Sequence, residues 1–307
     1  MNRSGPDRGT DRDDGADPAT AAFVAHRNLL FTVAYELLGS AADAEDVLQE
    51  TWLRWVGVDL AEVRDRRAYL VRITTRQALT RLRTLGRRRE TYVGPWLPEP
   101  LLTAPDVAED VELAESISTA MLLVLETLTP TERAVFVLRE VFDFGYGEIA
   151  HALGKSGPAV RQIAHRARSH VAARRPRGAA SPEETRTVTA AFQRAVETGD
   201  LQGLVDLLAP DVVALADGGG VKQALPRPIT GADQVARVLK VGLDRVGAAL
   251  TVAPVHVNGR PALALLLDGR IDSVMSLRVE DNRITAIYTV RNPEKLSRIE
   301  RETAVSR

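Results

Sequence analysis

The sequence contains no cysteine, which excludes a disulfide framework, a thiolate metal site and a cysteine nucleophile. It also lacks any apolar run near the roughly 20 residues that cross a bilayer. The N-terminal residues have no apolar signal-peptide core. We therefore expect a cytoplasmic protein, with residues 1–18 forming a polar, disordered tail.

Acidic residues are scarce in two stretches of a chain whose net charge is only −1. Residues 64–89 contain ten arginines and one acid, Asp65, and residues 149–182 contain no acid. Solvated helix faces are the alternative interpretation, but such faces normally mix both signs. The pattern therefore favours two separate contacts with a polyanion.

Apolar spacing predicts three helices before residue 90, and glycine and serine at 39 and 40 separate the first two. The next stretch, 91–112, contains four prolines and is predicted to be an ordered linker. Its large apolar side chains would be exposed unless they dock. We expect the segment WLPEPL (96–101) to pack against another part of the chain, or else only against its neighbouring helices.

A helix-turn-helix is predicted at residues 146–171, and a capped helix starts before it at Thr129. Gly154 ends the short first helix, and the second helix has an aliphatic face and a polar face. Such a recognition helix reads base edges in the major groove. The predicted DNA contacts of this motif are Lys155, Ser156, Ala159, Arg161, Gln162, His165, Arg166 and Arg168.

The C-terminal part changes character after a basic linker. Helices are predicted near 183–197, 201–208 and 232–246, and strands at 250–257, 261–267, 273–279 and 283–290. Asn258-Gly259 is a hairpin turn signal. Helices followed by a meander of strands indicate an α+β domain with a curved antiparallel sheet.

Two long motifs resemble those of extracytoplasmic-function (ECF) sigma factors. The stretch DAEDVLQETWLRW (43–55) is similar to their region 2, and LTPTERAVFVLRE (128–140) with the helix-turn-helix is similar to their region 4. The resemblance implies binding to the RNA polymerase core, at the β′ clamp coiled coil and the β flap, and to single- and double-stranded promoter DNA. It implies polymerase contacts at Asp43, Asp46, Gln49 and Glu50. It places contacts with the melted downstream element at Arg64, Arg67, Tyr69, Arg72, Arg76, Arg81 and Arg83.

Three further segments are WLPEPL (96–101), DGGG (217–220) and NPEKL (292–296). They resemble motifs of a sigma subfamily with a fused SnoaL-like domain, a cone of curved sheet that takes the place of an anti-sigma protein. We expect this domain to control the chain in cis by an interdomain contact. The residues implied are Trp96, Leu97, Pro98, Glu99, Leu101, Asp217, Gly218, Gly219, Gly220, Asn292, Pro293, Lys295 and Leu296. Lys295 is expected to reach Glu99 or a C-terminal carbonyl.

The expected architecture is therefore multidomain: two all-α sigma domains followed by an α+β SnoaL-like cone. The predicted boundaries are a tail (1–18), region 2 (19–90), a linker (91–115), region 4 (116–176), a second linker (177–184), the cone (185–300) and a tail (301–307).

Two alternatives stay open at this stage. One is a one-component helix-turn-helix regulator with a ligand-sensing cone, and the other is a SnoaL-like isomerase or cyclase fused to a DNA-binding module. The cone's histidine, His256, and its acids Asp211, Asp217 and Asp272 form a thin basis for acid–base catalysis. We expect no enzyme activity, no catalytic residue, no metal and no cofactor. An unidentified small ligand could enter the cone.

Overall fold

A computed structural model describes residues 17–89, 91–105, 107, 110–174, 180–299 and 301–307. The predicted N-terminal tail lies outside the described residues up to position 16, and a helix already begins at Pro18. The predicted linker at 177–184 is described only from residue 180 onward. Among the described residues, no helix is both long and apolar enough to span a bilayer.

The first helical unit contains α1 (Pro18–Leu38), α2 (Ala41–Trp55) and α3 (Arg66–Arg89). Gly39 ends α1 in the left-handed conformation, with φ of 66°. Ser40 then caps α2, because its hydroxyl oxygen accepts a hydrogen bond from the Asp43 amide at 3.2 Å. The predicted boundary between these two helices is confirmed.

The second helical unit contains α4 (Val111–Ser116), α5 (Thr119–Glu126), α6 (Pro130–Phe136), α7 (Tyr146–Leu153) and α8 (Gly157–Arg174). A π-helical turn, Val137–Val141, follows α6. Thr129 and Glu132 form the predicted capping box. Gly154 ends α7 with φ of 63°, so the predicted helix-turn-helix is confirmed as α7 and α8.

The third unit is a six-stranded sheet with helices packed against it. Its helices are α9 (Pro182–Thr198), α10 (Leu201–Leu207), α11 (Ala232–Val246) and α12 (Pro293–Leu296). Its strands are β1 (Leu208–Asp217), β2 (Ile229–Thr230), β3 (Leu250–Val257), β4 (Arg260–Leu267), β5 (Arg270–Glu280) and β6 (Arg283–Val290). The order across the sheet is β2-β1-β6-β5-β4-β3.

The predicted meander is present in β3 to β6, but the sheet is mixed rather than wholly antiparallel. The difference is β1, which the sequence analysis missed and which pairs parallel with β6. Pro210 and Asp211 interrupt the apolar alternation of this strand, and its register with β6 shifts between Leu208 and Val213. Proline is tolerated at such irregular positions, but it hides the strand from a pattern search.

Three apolar clusters hold the molecule together. One core is continuous through both helical units and includes Leu30, Leu70 and Val160. A second lies around Phe192, inside the third unit, which corresponds to the predicted cone. The third lies on the other side of the sheet, where linker residue Leu97 packs with residues of β3 to β6 and α12. The third cluster joins the linker to the cone.

Candidate nucleic-acid interface and interdomain dock

The acidic face of α2 is open to solvent over most of its length. Asp46, Gln49 and Glu50 are exposed, whereas Asp43 is partly covered. Arg81 of α3 bridges this face, with its guanidinium 2.6 Å from Asp43 and 2.7 Å from Asp46. The structure thus places a predicted DNA contact against two predicted polymerase contacts.

Three of the α3 arginines predicted to bind DNA lie against the helix-turn-helix unit. Arg76 Nε donates to the Ala152 carbonyl at 2.8 Å and Arg76 Nη2 to the His151 carbonyl at 3.1 Å. Arg72 contacts the His151 ring, and Arg67 lies 4.6 Å from the centre of the Phe144 ring. In this arrangement, the basic face of α3 contacts the first helix of the helix-turn-helix.

The remaining predicted contacts of this region are arranged differently. Tyr69 is half-buried, and Arg72 stacks on it with its guanidinium carbon 4.2 Å from the centre of the Tyr69 ring. Arg64 and Arg83 are exposed. The α3 surface is therefore only partly engaged by the second helical unit.

The polar face of α8 is open to solvent. Its exposed members are Arg161, Gln162, His165, Arg166 and Arg168, and Ala159 is half-buried. Lys155 and Ser156 are exposed in the turn that precedes the helix. Val160, Ile163 and Ala167 on the opposite face are buried in the first core. Arg168 lies 3.3 Å from Glu140, which fixes one basic side chain at the edge of this face. The arrangement leaves a continuous polar strip for a nucleic-acid groove.

Linker and cone meet around a fully buried carboxylate, that of Asp217 at the end of β1. Its Oδ2 accepts from the Leu97 amide at 2.9 Å and from Lys295 Nζ at 2.7 Å. Its Oδ1 accepts from the Tyr92 hydroxyl at 2.6 Å and the Gly219 amide at 3.0 Å. Four donors from three segments satisfy one buried charge, and we name this cluster the dock.

Lys295 closes the dock from the other side. Its ammonium donates to the Leu97 carbonyl at 2.5 Å and lies 4.4 Å from the centre of the Trp96 ring. The carbonyl that Lys295 contacts is that of linker residue Leu97, whereas the sequence pattern predicted Glu99 or a C-terminal carbonyl. Burial and the Asp217 carboxylate raise the pKa of the Tyr92 hydroxyl above its ordinary value, so this hydroxyl remains a donor at neutral pH.

Glycine is required in the DGGG turn because other backbone and side-chain atoms approach closely. A Cβ on Gly218 would lie 2.0 Å from the Lys222 carbonyl oxygen, and one on Gly219 would lie 2.3 Å from Asn292 Nδ2. Asn292 in turn caps α12, where Pro293 occupies the first turn and Leu296 joins the third cluster. Gly220, with φ of 74°, rests on Val93 of the linker. The predicted interdomain residues of the cone thus lie together.

The WLPEPL segment packs against both the cone and the helical units. Leu97 and Leu101 are 0% and 2% exposed, the first packed on the cone and the second in the core of the helical units. Glu99 Oε2 accepts from the Ser40 hydroxyl at 3.1 Å and the Ala42 amide at 3.2 Å, at the start of α2. Pro98 and Pro100 between them are buried. The segment is a bridge between α1–α2 and the cone.

Asn258, which its sequence context marks only as a turn residue, makes interdomain contacts that the sequence pattern did not predict. Its side-chain oxygen accepts from the Leu101 amide at 2.9 Å, and its amide nitrogen donates to the Tyr35 hydroxyl and the Ile117 carbonyl, both at 2.7 Å. Tyr35 donates onward to the Glu99 carbonyl at 2.7 Å. This hairpin tip joins all three units, and the one available sequence signal was the Asn-Gly pair.

The C-terminal tail runs back across the helical units. The Thr303 amide donates to the Leu102 carbonyl at 2.8 Å, and the Ser306 amide donates to Thr32 Oγ1 at 3.1 Å. Arg307 pairs with Asp110 at 3.0 Å and with Glu112. The tail predicted at 301–307 therefore contacts the linker, α1 and α4.

The cone also encloses a cavity of about 360 Å³, lined mostly by apolar side chains. Of the acid–base candidates, only Asp272 lines it, and it is paired with Lys222 at 2.8 Å and Arg291 at 3.0 Å. Asp217 belongs to the dock, and Asp211 is exposed. His256 and the carboxylates are thus dispersed. Among the described residues, no group of histidine and acidic side chains is arranged to hold a metal ion.

Comparison with known proteins matches both helical units to family models. The Sigma-70 region 2 model matches residues 22–88, and the Sigma-70, region 4 model matches residues 118–171. These ranges contain the acidic α2 face, the α3 arginines and the helix-turn-helix.

Two curated relatives are similar over nearly their whole length. The ECF RNA polymerase sigma factor SigJ of Mycobacterium tuberculosis is 37% identical over 289 residues, covering 90% of this chain and 92% of the relative. The probable ECF RNA polymerase sigma factor SigI of the same species is 32% identical over 290 residues, covering 93% and 97%.

The crystal structure of Mycobacterium tuberculosis SigJ superposes with a TM-score of 0.74 at 34% identity. It covers 91% of this chain and 98% of that one, so the arrangement of all three units is shared. The chain belongs to the ECF RNA polymerase sigma factors, in the group that carries a C-terminal SnoaL-like domain.

Proposed function

We propose that the exposed acidic face of α2 binds the β′ clamp coiled coil of the polymerase core. Asp43, Asp46, Gln49 and Glu50 supply acceptors for basic side chains, which gives charge-assisted contacts and steered association. The second helical unit binds the β flap. A factor with these partners works in the cytoplasm, beside the polymerase.

The two basic surfaces take different forms of promoter DNA. The α3 surface, with Arg64, Arg67, Tyr69, Arg72, Arg76, Arg81 and Arg83, binds the melted downstream element through phosphate charge and base stacking. The polar face of α8 reads the upstream element as duplex, where Arg161 and Gln162 are suited to guanine and adenine.

One observation carries the proposal that the chain is controlled in cis. Arg72 and Arg76 cannot hold DNA phosphates while they hold His151 and Ala152 of α7. The two helical units must therefore separate before both surfaces can lie on a promoter. The dock ties the linker between those units to the cone. We infer that the cone stabilises this closed arrangement and that weakening the dock promotes initiation.

Run-off transcription with purified core polymerase on a pool of genomic fragments tests the function. Lys295→Ala weakens the dock, and Lys240→Ala is a matched control because Lys240 pairs with Asp244 on the exposed face of α11. We expect start-site-specific transcripts from the wild-type chain, several-fold more from Lys295→Ala and no change from Lys240→Ala. Duplex binding that needs no core, without any initiation, would indicate a one-component regulator instead.

A further inference from the structure

The cavity of the cone lies between the concave face of the sheet and α11. Its apolar wall is formed by Phe192, Leu239, Leu263, Met275 and Ile287. Only Val235 and Ala236 of α11 are buried, and Val238 and Val241, which also line the cavity, are 39% and 53% exposed. Helix α11 therefore covers a space large enough for a small apolar molecule.

One end of this cavity is polar and is built by neighbouring strands. The register pairs Val274 with Val290 and Met275 with Thr289, so Ser273 lies beside Arg291 at the same end of β5 and β6. Ser273 is 3% exposed, and neither its hydroxyl nor that of Thr289 makes a hydrogen bond with the described residues. Two hydroxyls and a guanidinium thus meet at the end of an apolar cavity.

Cationic side chains outnumber carboxylates at this end of the cavity. Asp272 is the single carboxylate among the described residues that line this end, and it faces two cations, Lys222 at 2.8 Å and Arg291 at 3.0 Å. Arg245 of α11 also lines the cavity and is held by the Gln223 side chain at 3.1 Å. The polar end is therefore net positive and has spare hydroxyl donors.

We propose that the cone binds an amphipathic monocarboxylate, such as a medium-chain fatty acid. The apolar body packs between α11 and the sheet, and the carboxylate accepts hydrogen bonds from Ser273, Thr289 and Arg291. A hydrocarbon without a polar group would leave the hydroxyls unpaired, and an organic cation would face the excess positive charge. This inference concerns the cone alone and stands independently of the proposed polymerase and promoter contacts.

The polar end of the cavity lies next to the dock in the chain. Arg291 directly precedes Asn292, and the Arg291 amide donates to the Asp217 carbonyl at 2.7 Å. Lys222 follows the DGGG turn, and its ammonium holds Asp272. The residues around the carboxylate of the ligand are thus close neighbours, along the chain, of the residues that hold the linker.

Isothermal titration calorimetry of the full chain with three amphiphiles, each below its micellar concentration, tests the assignment. We expect dodecanoate to bind, 1-dodecanol to bind at least ten-fold more weakly, and dodecyltrimethylammonium not to bind. Ser273→Ala should weaken dodecanoate binding at least about ten-fold, because it removes one hydrogen bond to a charged group. Leu239→Trp should fill the cavity and abolish binding. Leu53→Trp, at a 71% exposed position on α2, is the matched control and should bind like the wild type.

Three results would overturn the proposal: no heat of binding with dodecanoate, equal affinity for the acid and the alcohol, or undiminished binding by Leu239→Trp. Ser273→Ala removes one oxygen atom and keeps the test decisive if the tryptophan variant does not fold, which its thermal melt would reveal. Unchanged dodecanoate affinity in Ser273→Ala also counts against the assigned position of the carboxylate.

Discussion

The carboxylate of Asp217, fully buried at the end of β1, lies 2.7 Å from the ammonium of Lys295 on α12. Removal of one partner from such a pair leaves an uncompensated buried charge, which costs far more than the loss of a surface ion pair. Together with the hydrogen bonds that Leu97 and Tyr92 donate to Asp217, this contact joins β1 and α12 to the linker, so the stability of the closed arrangement depends on it.

Lys295→Ala should therefore lower the free energy of unfolding by about 3 kcal/mol, as for other broken buried pairs. Lys240→Ala, which breaks the exposed pair with Asp244, should change it by less than about 0.5 kcal/mol. Urea unfolding of both full-length variants measures the difference. Equal losses in the two variants would contradict the role given to the dock.

The turn at Gly39 supports the ring of Trp96. A Cβ on Gly39 would lie 2.7 Å from the ring, whereas one on Gly154 would meet nothing within 4 Å, and both glycines have φ near 65°. Both alanine variants should lose about 1 kcal/mol from left-handed strain. Gly39→Ala should lose more and should shift the tryptophan fluorescence. Identical thermal melts for the two variants would show that Trp96 does not depend on this turn.

Asn258 is predicted to couple the cone to the helical units. Asn258→Gly keeps the positive φ of 54° accessible but removes the side-chain hydrogen bonds to Leu101, Tyr35 and Ile117. We expect a loss of about 2–4 kcal/mol, because one buried donor (the Leu101 amide) and two buried acceptors (the Tyr35 hydroxyl and the Ile117 carbonyl) lose their partner. Hydrogen exchange at the Leu101 amide should accelerate at least ten-fold. An unchanged exchange rate there would exclude the coupling.

Glu36 of α1 gives the fold a pH dependence. Burial raises the pKa of this carboxyl to about 8, and the Ser116 hydroxyl lies 2.7 Å from it. Ser116 Oγ also lies 2.9 Å from the Leu113 carbonyl oxygen, but serine has a single hydroxyl hydrogen. When Glu36 is protonated, it donates its own hydrogen to Ser116 Oγ, and the serine hydrogen is donated to Leu113. Both contacts are then hydrogen bonds.

The folded state therefore holds a proton that the unfolded chain releases above its ordinary glutamate pKa. The stabilisation is complete below pH 4.5 and is lost as the pH rises toward 8, by a few kcal/mol in all. Urea unfolding at pH 5, 6.5 and 8 should show this decline. Glu36→Gln should flatten most of it, with a remainder from Glu99, whose pKa burial also raises. A wild-type slope of the opposite sign in this pH range would contradict the assignment.

Much of the fold could be predicted because its elements have local signals. Capping residues such as Thr129 and Ser40, and glycines such as Gly154, mark helix ends within a few residues of chain. The strand β1 left no such signal, since Pro210 and Asp211 interrupt its pattern and its partner β6 lies about 70 residues away. Parallel pairing at that separation is decided by tertiary packing alone.

The local features of the candidate site could likewise be predicted from the sequence, but its tertiary contacts could not. Basic and acidic faces were visible as charge patterns on α2, α3 and α8, but not the contacts between them. That Arg81 pairs with Asp43, and Arg76 with a carbonyl of α7, depends on how the units pack. Asn258 is the clearest case, because its three partners come from three distant segments that no periodicity connects.

A cross-link between α3 and α7 tests whether the two helical units must separate before transcription can start. Since the chain has no cysteine, Arg72→Cys with His151→Cys introduces two unique thiols at side chains that touch. A cleavable bis-maleimide linker then locks the closed arrangement. We predict that the locked protein binds core polymerase but yields no run-off transcript. Cleaving the linker should restore transcription to the level of the two single-cysteine variants, Arg72→Cys and His151→Cys. A locked protein that initiates as well as the cleaved one would contradict the account.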